Sequence, residues 1–147
     1  MPALIRPVTA ADRAGWDPLY AGYAAFYRVT QTPQMRDRVC SWLMDAGHPV
    51  TGFVAEEAGR LTGFAHCRPF ARPLSATTGG FLDDLFVAPE ARGSGAARAL
   101  IEAVRDHGKA QGWSVIRWIT AEDNARARAL YDKLAVRTGW VTYDIPL

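Results

Sequence analysis

A glycine-rich turn at residues 92–98 combines the residue types needed to hold an anion. It follows an apolar run at residues 81–87 and precedes apolar residues at helical spacing, which places it between a strand and a helix. Its two glycines leave main-chain N–H groups uncovered, and a helix start adds free N–H groups and the positive end of a dipole. The turn therefore predicts a bound pyrophosphate with arginines beside it. The alternative is a tight turn with helix-capping residues.

Two adjacent carboxylates, Asp83 and Asp84, interrupt the apolar run before this turn. A carboxylate in an apolar strand is unfavourable unless it is paired or hydrated, so these residues are candidates for function. Because adjacent strand residues face opposite sides of a sheet, we expect one carboxylate on each face and no paired-carboxylate site. The sequence leaves open which of the two faces a substrate.

The composition is that of an ordinary globular protein. The 147 residues are 49% hydrophobic and 22% charged, so we expect residues 1–147 to form one domain around one core. A net charge of +2 is too small to indicate a nucleic-acid partner. No apolar run has membrane-spanning length and residues 1–13 lack a signal-peptide core, which predicts a cytoplasmic protein. Cys40 and Cys67 have no metal-site spacing and are expected to be free thiols.

The first half of the chain predicts a strand at residues 3–8 and a helix capped by Thr9 and Asp12. That helix has an unusually aromatic face, consisting of Trp16, Leu19, Tyr20, Tyr23, Phe26 and Tyr27. Core packing explains most of this face, but aromatic rings also attract cations. Tyr23 and Tyr27 are therefore candidates for lining an amine-binding groove. A second helix is expected to begin at Thr32–Pro33 and end at Gly47.

A hairpin follows, with strands at residues 51–56 and 60–70 and a turn at 58–59. His66 lies alone in its second strand, where a hydrogen-bonded structural histidine is favoured over a catalytic base. Residues 68–78 are expected to form a loop. After the central strand come a helix ending at Gly112, a strand at 113–120, a helix at 125–134 and a strand at 140–145. The order β-α-α-β-β-β-α-β-α-β predicts a mixed α/β fold.

These motifs together resemble the GNAT superfamily of acetyl-CoA-dependent N-acetyltransferases. The resemblance rests on the pattern Arg92-x-x-Gly95-x-Ala97 after an apolar strand, followed by Asn124-x-x-Ala127 and Leu130-Tyr131. It extends over nearly the whole chain and is nearest to the branch that acetylates small amines, polyamines or histone-like tails. It implies a single-domain mixed sheet splayed into a V, flanked by about four helices, with acetyl-CoA in the split. Homodimers are common in the family and are expected here on that basis.

The resemblance also implies which residues bind acetyl-CoA. The backbone of the central strand would hold the pantetheine arm and polarise the thioester oxygen, and the glycine turn would hold the pyrophosphate. Asn124 would contact the cofactor, although a plain helix N-cap explains it equally well. No metal is implied. The expected cofactor-binding residues are Leu85, Phe86, Val87, Arg92, Gly93, Ser94, Gly95, Ala96, Ala97, Arg98 and Asn124.

The resemblance finally implies roles in acetyl transfer. Tyr131 would be the acid, since a phenol with a pKa of about 10 can donate its proton to a thiolate whose conjugate acid has a pKa of about 8.5. Spacing alone favours a structural tyrosine. Asp83 matches an acceptor-site carboxylate, and would bind the amine and deprotonate it through water. Asp84 would make a structural hydrogen bond, with the two aspartates' roles open to exchange.

Two other function classes fit parts of the pattern. A non-catalytic acyl-CoA-binding regulatory domain would keep the glycine turn and has no need of Tyr131. Another nucleotide-binding α/β protein would use the turn and leave residues 124–131 unexplained. The sequence therefore favours direct acetyl transfer from acetyl-CoA to a primary amine of a small molecule, polyamine or protein tail.

Overall fold

The computed structural model describes residues 2–147, and Met1 lies outside them. Five strands form one open mixed sheet in the order β1-β2-β3-β4-β5, in which β1 to β4 are antiparallel neighbours and β5 runs parallel to β4. The strands are β1 Leu4–Pro7, β2 Thr51–Glu57, β3 Arg60–Arg72, β4 Thr77–Val87 and β5 Ile116–Arg117. The helices are α1 Arg13–Phe26, α2 Pro33–Met44, α3 Ala96–Gln111 and α4 Ala125–Leu134. The predicted mixed sheet with four helices is confirmed.

The two faces of the sheet carry separate cores. On one face Trp16 of α1 packs with Val54, Phe64 and Phe86, and α2 adds partly buried residues. On the other face α3 contributes the buried Leu100, whose neighbours come from β2, β3 and β4. The sheet alternation explains this division, because successive residues of β4 pack alternately into the two cores. The ends of β4 and α3 are therefore held on a rigid platform.

Local signals in the sequence position several ends of these helices. Thr9 and Asp12 form the expected capping box before α1, and Thr32 caps α2 by accepting a hydrogen bond from the Met35 N–H. Gly112 ends α3 in a left-handed conformation, with φ of 76°. These predictions are confirmed, because a cap depends on only a few adjacent residues.

Four predicted elements differ from the structure. The expected loop at residues 68–78 was wrong, because β3 continues to Arg72 and β4 already begins at Thr77. The second helix ends at Met44 rather than Gly47. The strand expected at 113–120 shrinks to two residues, and residues 140–145 form no strand. Long-range pairing determines where strands form and end, so an apolar pattern without a partner remains unpaired.

The separation of β4 and β5 creates space in the fold. The two strands pair at Gly80 with Ile116 and at Phe81 with Arg117, and β4 then continues to Val87. Beyond Phe81 this edge of β4 has no strand beside it among residues 2–147. The start of α3 and the face of α4 border the resulting opening.

We expect Asp12→Asn to destabilise the fold in a pH-dependent way. Arg6 donates two hydrogen bonds to Asp12 at 2.8 and 2.9 Å and lowers the pKa of this carboxyl to about 2. The stabilisation is therefore complete above pH 4 and is lost as the pH falls towards 2. Urea unfolding at pH 7 should show a loss of about 2 kcal/mol, shrinking below pH 4. The exposed Asp132→Asn is the control, and an equal loss at pH 7 and pH 3 would contradict this account.

Candidate active site

A groove of about 440 Å³ lies at the opening between β4 and α4, in the usual size range of ligand sites. Its walls come from the end of α1, the end of β4, the glycine turn, the start of α3 and one face of α4. The lining residues are Phe26, Tyr27, Leu85, Phe86, Val87, Ala91, Arg92, Gly93, Gly95, Ala96, Ala97, Arg98, Asn124, Arg126, Ala127, Leu130 and Tyr131.

The glycine turn presents unpaired amides at one end of this groove. Gly93 and Gly95 have φ of 87° and 86°, a left-handed conformation that residues with a Cβ resist. Within residues 2–147, the N–H groups of Gly93 and of residues 95–98 donate to no protein acceptor. The Ser94 N–H bonds to the Ala91 carbonyl oxygen at 3.3 Å and is therefore occupied. The free amides at the positive end of α3 can accept an anion.

Arginines surround the same end of the groove. The Arg92 guanidinium lies 5.4 Å from the centre of the Phe26 ring and 5.9 Å from that of Phe86, which fixes its position by cation–π contact. Arg98 pairs with Glu102 at 3.2 Å, one turn along the exposed face of α3. Arg126 extends the positive lining to α4. This charge matches a phosphate-bearing ligand.

A narrow pocket of about 20 Å³ adjoins the other end of the groove. That volume holds about one water molecule. The pocket and the groove share Tyr27, Leu85 and Tyr131, so the two cavities are direct neighbours. The full lining is Tyr23, Tyr27, Leu82, Asp83, Leu85, Trp118, Ile119 and Tyr131.

Tyr131 lies where the groove and the narrow pocket meet. Its ring packs edge-on against Trp118, with ring centres 5.4 Å apart. Burial raises the pKa of Tyr131 to about 12, with a smaller contribution from Tyr27. The phenol therefore stays protonated well above neutral pH and can act only as a proton donor there.

Asp83 and Asp84 share one face of the sheet, contrary to the expected opposite orientation. A bulge in β4 causes this: His66 pairs with Asp84 but Cys67 pairs with Leu82, which leaves Asp83 as an extra residue. Asp83 bonds Arg68 at 3.1 Å and Asp84 bonds His66 at 2.8 Å. Because His66 and Arg68 are two residues apart on β3, their partners face the same side.

The two carboxylates nevertheless differ in surroundings. Asp84 accepts hydrogen bonds from Tyr20 and His66, while Asp83 is 30% exposed and lines the narrow pocket. Burial raises the pKa of Asp83 above its ordinary value, the Arg68 charge opposes the rise, and Asp84 adds to it. Asp83 pairs with Arg68 and is also the carboxylate that lines a cavity, whereas Asp84 is bonded by Tyr20 and His66 and lines neither cavity.

His66 is a fully hydrogen-bonded core residue, only 2% exposed. The Trp16 indole N–H donates to its Nε2 at 3.0 Å, so Nδ1 carries the ring proton and donates it to Asp84. Both ring nitrogens are occupied, which agrees with the structural interpretation of His66 over the catalytic one.

The structure brings together most of the residues that the sequence selects. Asn124 caps α4, its side-chain oxygen accepting from the Ala127 N–H at 3.4 Å, while also lining the groove. Tyr27 lines both cavities and Tyr23 only the narrow pocket. Ser94 lines neither. Sequence reasoning missed Phe26, Ala91, Arg126 and Trp118 as lining residues, and only their proximity to the predicted motifs could have suggested them.

In residues 2–147, no group of three or more His, Cys, Asp or Glu side chains is arranged to hold a metal ion. No helix in that range is both long and apolar enough to cross a membrane. The two cysteines form no disulfide, and burial raises the pKa of the Cys67 thiol to about 12.

Sequence comparison identifies the family. The model of the Acetyltransferase (GNAT) family matches residues 16–135, and the chain belongs to this family. It is 28% identical over 142 residues to the D-amino-acid N-acetyltransferase HPA3 of Saccharomyces cerevisiae, covering 95% of this chain and 88% of that protein. It is 31% identical over 141 residues to the uncharacterized N-acetyltransferase YhfO of Bacillus subtilis, covering 95% and 94%.

Solved structures share the fold. The acetyltransferase AAC(6')-Iy, bound to the bisubstrate analogue CoA-S-monomethyl-acetylneamine, matches with a TM-score of 0.87 at 20% identity, over 100% of this chain and 99% of that one. The family and its relatives define the activity class: this protein is an acetyl-CoA-dependent N-acetyltransferase, which moves the acetyl group of acetyl-CoA to an amine.

Proposed function

We propose that the protein acetylates a small cationic primary amine, which enters through the narrow pocket and meets acetyl-CoA at Tyr131. The observation that carries this proposal is the junction of two cavities of opposite character. The groove ends in free amides and arginines, while the pocket contains the Asp83 carboxylate and four aromatic side chains. The similarity to the yeast D-amino-acid N-acetyltransferase supports a small-molecule acceptor over a protein tail.

Acetyl-CoA would lie along the groove with its pyrophosphate on the amides of residues 93–98. The free N–H groups, the α3 dipole and the arginines all favour that placement. The unpaired edge of β4 at residues 85–87 would hydrogen-bond the pantetheine arm, since these main-chain groups need partners once water is excluded. One of these N–H groups would polarise the thioester oxygen.

Before the transfer step, the bound ammonium loses one proton through water to solvent. The neutral amine nitrogen then attacks the thioester carbon and forms the new C–N bond. The C–S bond then breaks, and the departing thiolate takes the proton of the Tyr131 hydroxyl. The excess proton on the nitrogen passes through a water to Asp83 and on to solvent, and Tyr131 regains its proton from solvent. No acyl-enzyme intermediate is required.

Asp83 would first hold the acceptor as its ammonium ion. A carboxylate beside an alkylammonium, whose pKa is about 10.4, stabilises the cation, so it cannot remove the proton directly. Tyr23 and Tyr27 face the same pocket and would contact the cation through their rings. The Asp83 side chain is 30% exposed, so solvent water can reach it and mediate the transfer.

The remaining proposals concern the setting of this activity. We propose that residues 1–147 act as one N-acetyltransferase domain, in the cytoplasm, as a homodimer, without a nucleic-acid partner. The single continuous sheet supports one domain, and the small net charge of +2 supports the absence of a nucleic-acid partner. The homodimer rests on the resemblance to the family.

Gly95→Ala should weaken CoA binding, while Gly112→Ala should not. Both glycines have positive φ and open space at the Cβ position, so each substitution should cost about 1 kcal/mol of backbone strain. Only Gly95 lies at the groove. Calorimetric titration should show at least a tenfold rise in Kd for CoA in Gly95→Ala alone. Equal affinity in both variants would remove the turn from the cofactor site.

Tyr131→Phe should lower kcat about 100-fold, the contribution typical of a general acid, and leave the Kd for CoA unchanged. Tyr143→Phe, on an exposed tyrosine, is the matched control. Because the pKa of Tyr131 is raised to about 12, the wild-type kcat should not fall between pH 8 and 10.5. Wild-type turnover by Tyr131→Phe across this range would exclude Tyr131 as the acid.

Asp83→Asn should raise KM for the amine about tenfold with normal thermal stability. Asp84→Asn should instead lower Tm, because it disrupts the bonds with Tyr20 and His66. Steady-state kinetics with a D-amino acid, a polyamine and a lysine peptide, alongside thermal unfolding, separate the two effects. The reverse pattern would exchange the roles of the two aspartates. Preference for the peptide would contradict a small-molecule acceptor.

A further inference from the structure

Arg68 lies beside the narrow pocket, where it pairs with Asp83. Its Nε donates to both carboxylate oxygens of Asp83, at 3.2 and 3.1 Å. In residues 2–147 its two Nη groups donate to no protein acceptor, and the side chain is 41% exposed. A guanidinium has five N–H donors in a planar fork that matches a carboxylate. Arg68 therefore has donors left for an anion next to the Asp83 carboxylate.

The sheet holds this guanidinium in place. Arg68 pairs with Phe81 across β3 and β4, and its guanidinium lies 5.0 Å from the centre of the Phe81 ring. Arg117 of β5 pairs with Phe81 from the other side, and its guanidinium lies 5.4 Å from the centre of the Phe70 ring. Contacts of this kind restrict both arginines. Two positive charges thus flank Phe81 in one row across three strands.

The narrow pocket has room for the amine of an acceptor and little else. Its volume of about 20 Å³ holds about one water molecule, and an ammonium group is of similar size. Tyr131 closes the side where acetyl-CoA would lie. The other atoms of the acceptor must therefore extend past Asp83 and Ile119, which are 30% and 64% exposed. Arg68 lies on that side, bonded to Asp83.

A plain amine fits these charges poorly. Arg68 already balances Asp83, so an ammonium ion that shares Asp83 would lie close to a guanidinium of the same charge. Asp84 offers no replacement, because Tyr20 and His66 bond it. A carboxylate on the carbon next to the amine removes the repulsion, since it can accept from the Nη groups of Arg68. Asp83 retains lone pairs for the ammonium.

We propose that the acceptor is a zwitterionic α-amino acid, with its ammonium group on Asp83 and its carboxylate on Arg68. This rests on the proposed function and names the substrate class of its acceptor site. The four charges would alternate in sign around a closed ring, in which every charge has an opposite neighbour. Arg68 is then the residue that selects amino acids over amines without a carboxylate. Acetylation leaves a neutral amide nitrogen, which gives up the contact with Asp83 and favours product release.

Matched acceptors test the need for a carboxylate. D- and L-alanine are compared with ethylamine, and D- and L-phenylalanine with phenethylamine, each amine lacking only the carboxylate. Thiol release from acetyl-CoA gives kcat/KM for every acceptor. The amino acid should exceed its matched amine by about tenfold, the effect of one charged hydrogen bond. Amines that are acetylated as well as their amino acids would overturn the proposal.

Arg68→Gln should act in opposite directions on the two members of a pair. KM for the amino acid should rise about tenfold with kcat nearly unchanged, because a charged hydrogen bond is lost. KM for the plain amine should fall, because Asp83 no longer has a competing guanidinium. A general loss of structure would impair both substrates. A parallel change for the two substrates, or no change for either, would contradict the assignment of Arg68.

Two further variants complete this comparison. Arg72→Gln removes an arginine from the same strand and face, where it bonds Ser114, and should change neither KM. Arg68→Lys should recover part of the amino-acid affinity, because lysine restores the charge without the fork. Thermal unfolding of each variant shows whether it is folded. Equal amino-acid KM in Arg68→Gln and Arg68→Lys would show that the charge of this residue has no role.

Spermidine and a lysine peptide, added to the same assay, separate the substrate class from the activity. Acetylation of spermidine or plain amines, without amino acids, would defeat the zwitterion and leave acetyl transfer at Tyr131 intact. Acetylation of none of these acceptors would instead overturn the proposed function, and the substrate class with it.

Discussion

The separation of β4 from β5 is the constraint on which the rest of the structure depends. A sheet that paired these strands along their full length would satisfy its backbone groups internally and leave no groove. Pairing instead ends at Phe81 and Arg117, while β4 continues to Val87. The exposed edge needs hydrogen-bond partners, and an extended amide-containing ligand would provide them. The groove is therefore a cavity bordered by an edge of β4 that has no neighbouring strand in residues 2–147.

The groove and the adjoining pocket carry side chains of opposite charge. The α3 N-terminus, Arg92 and Arg126 make one end positive, and Asp83 makes the adjoining pocket negative. Such a gradient would orient a ligand with an anionic tail and bring a cationic acceptor to the opposite end. Tyr131 lies at the junction, where burial keeps its proton in place. The arrangement fits the proposed direct transfer between two bound substrates without a covalent enzyme intermediate.

The bulge at Asp83 explains how two adjacent carboxylates have different surroundings. It turns both side chains towards α1. Tyr20 of α1 and His66 of β3 bond Asp84, whereas Asp83 faces the narrow pocket. His66 is in turn fixed by Trp16 from the helix above. A buried polar network with every member hydrogen-bonded holds its geometry firmly. The pocket wall is therefore built on a rigid base.

The sequence by itself determined the features that depend on neighbouring residues. Local spacing predicts the glycine turn, the four helices and the caps at Thr9, Thr32 and Asn124. It also predicts the order of the first four strands along the chain. Tertiary structure alone decided how far β3 and β4 extend, where β5 stops and which way Asp83 points, because each depends on pairing between distant segments. Residues 140–145 show the same limit: their pattern is that of a strand, but a strand forms only where a partner edge exists.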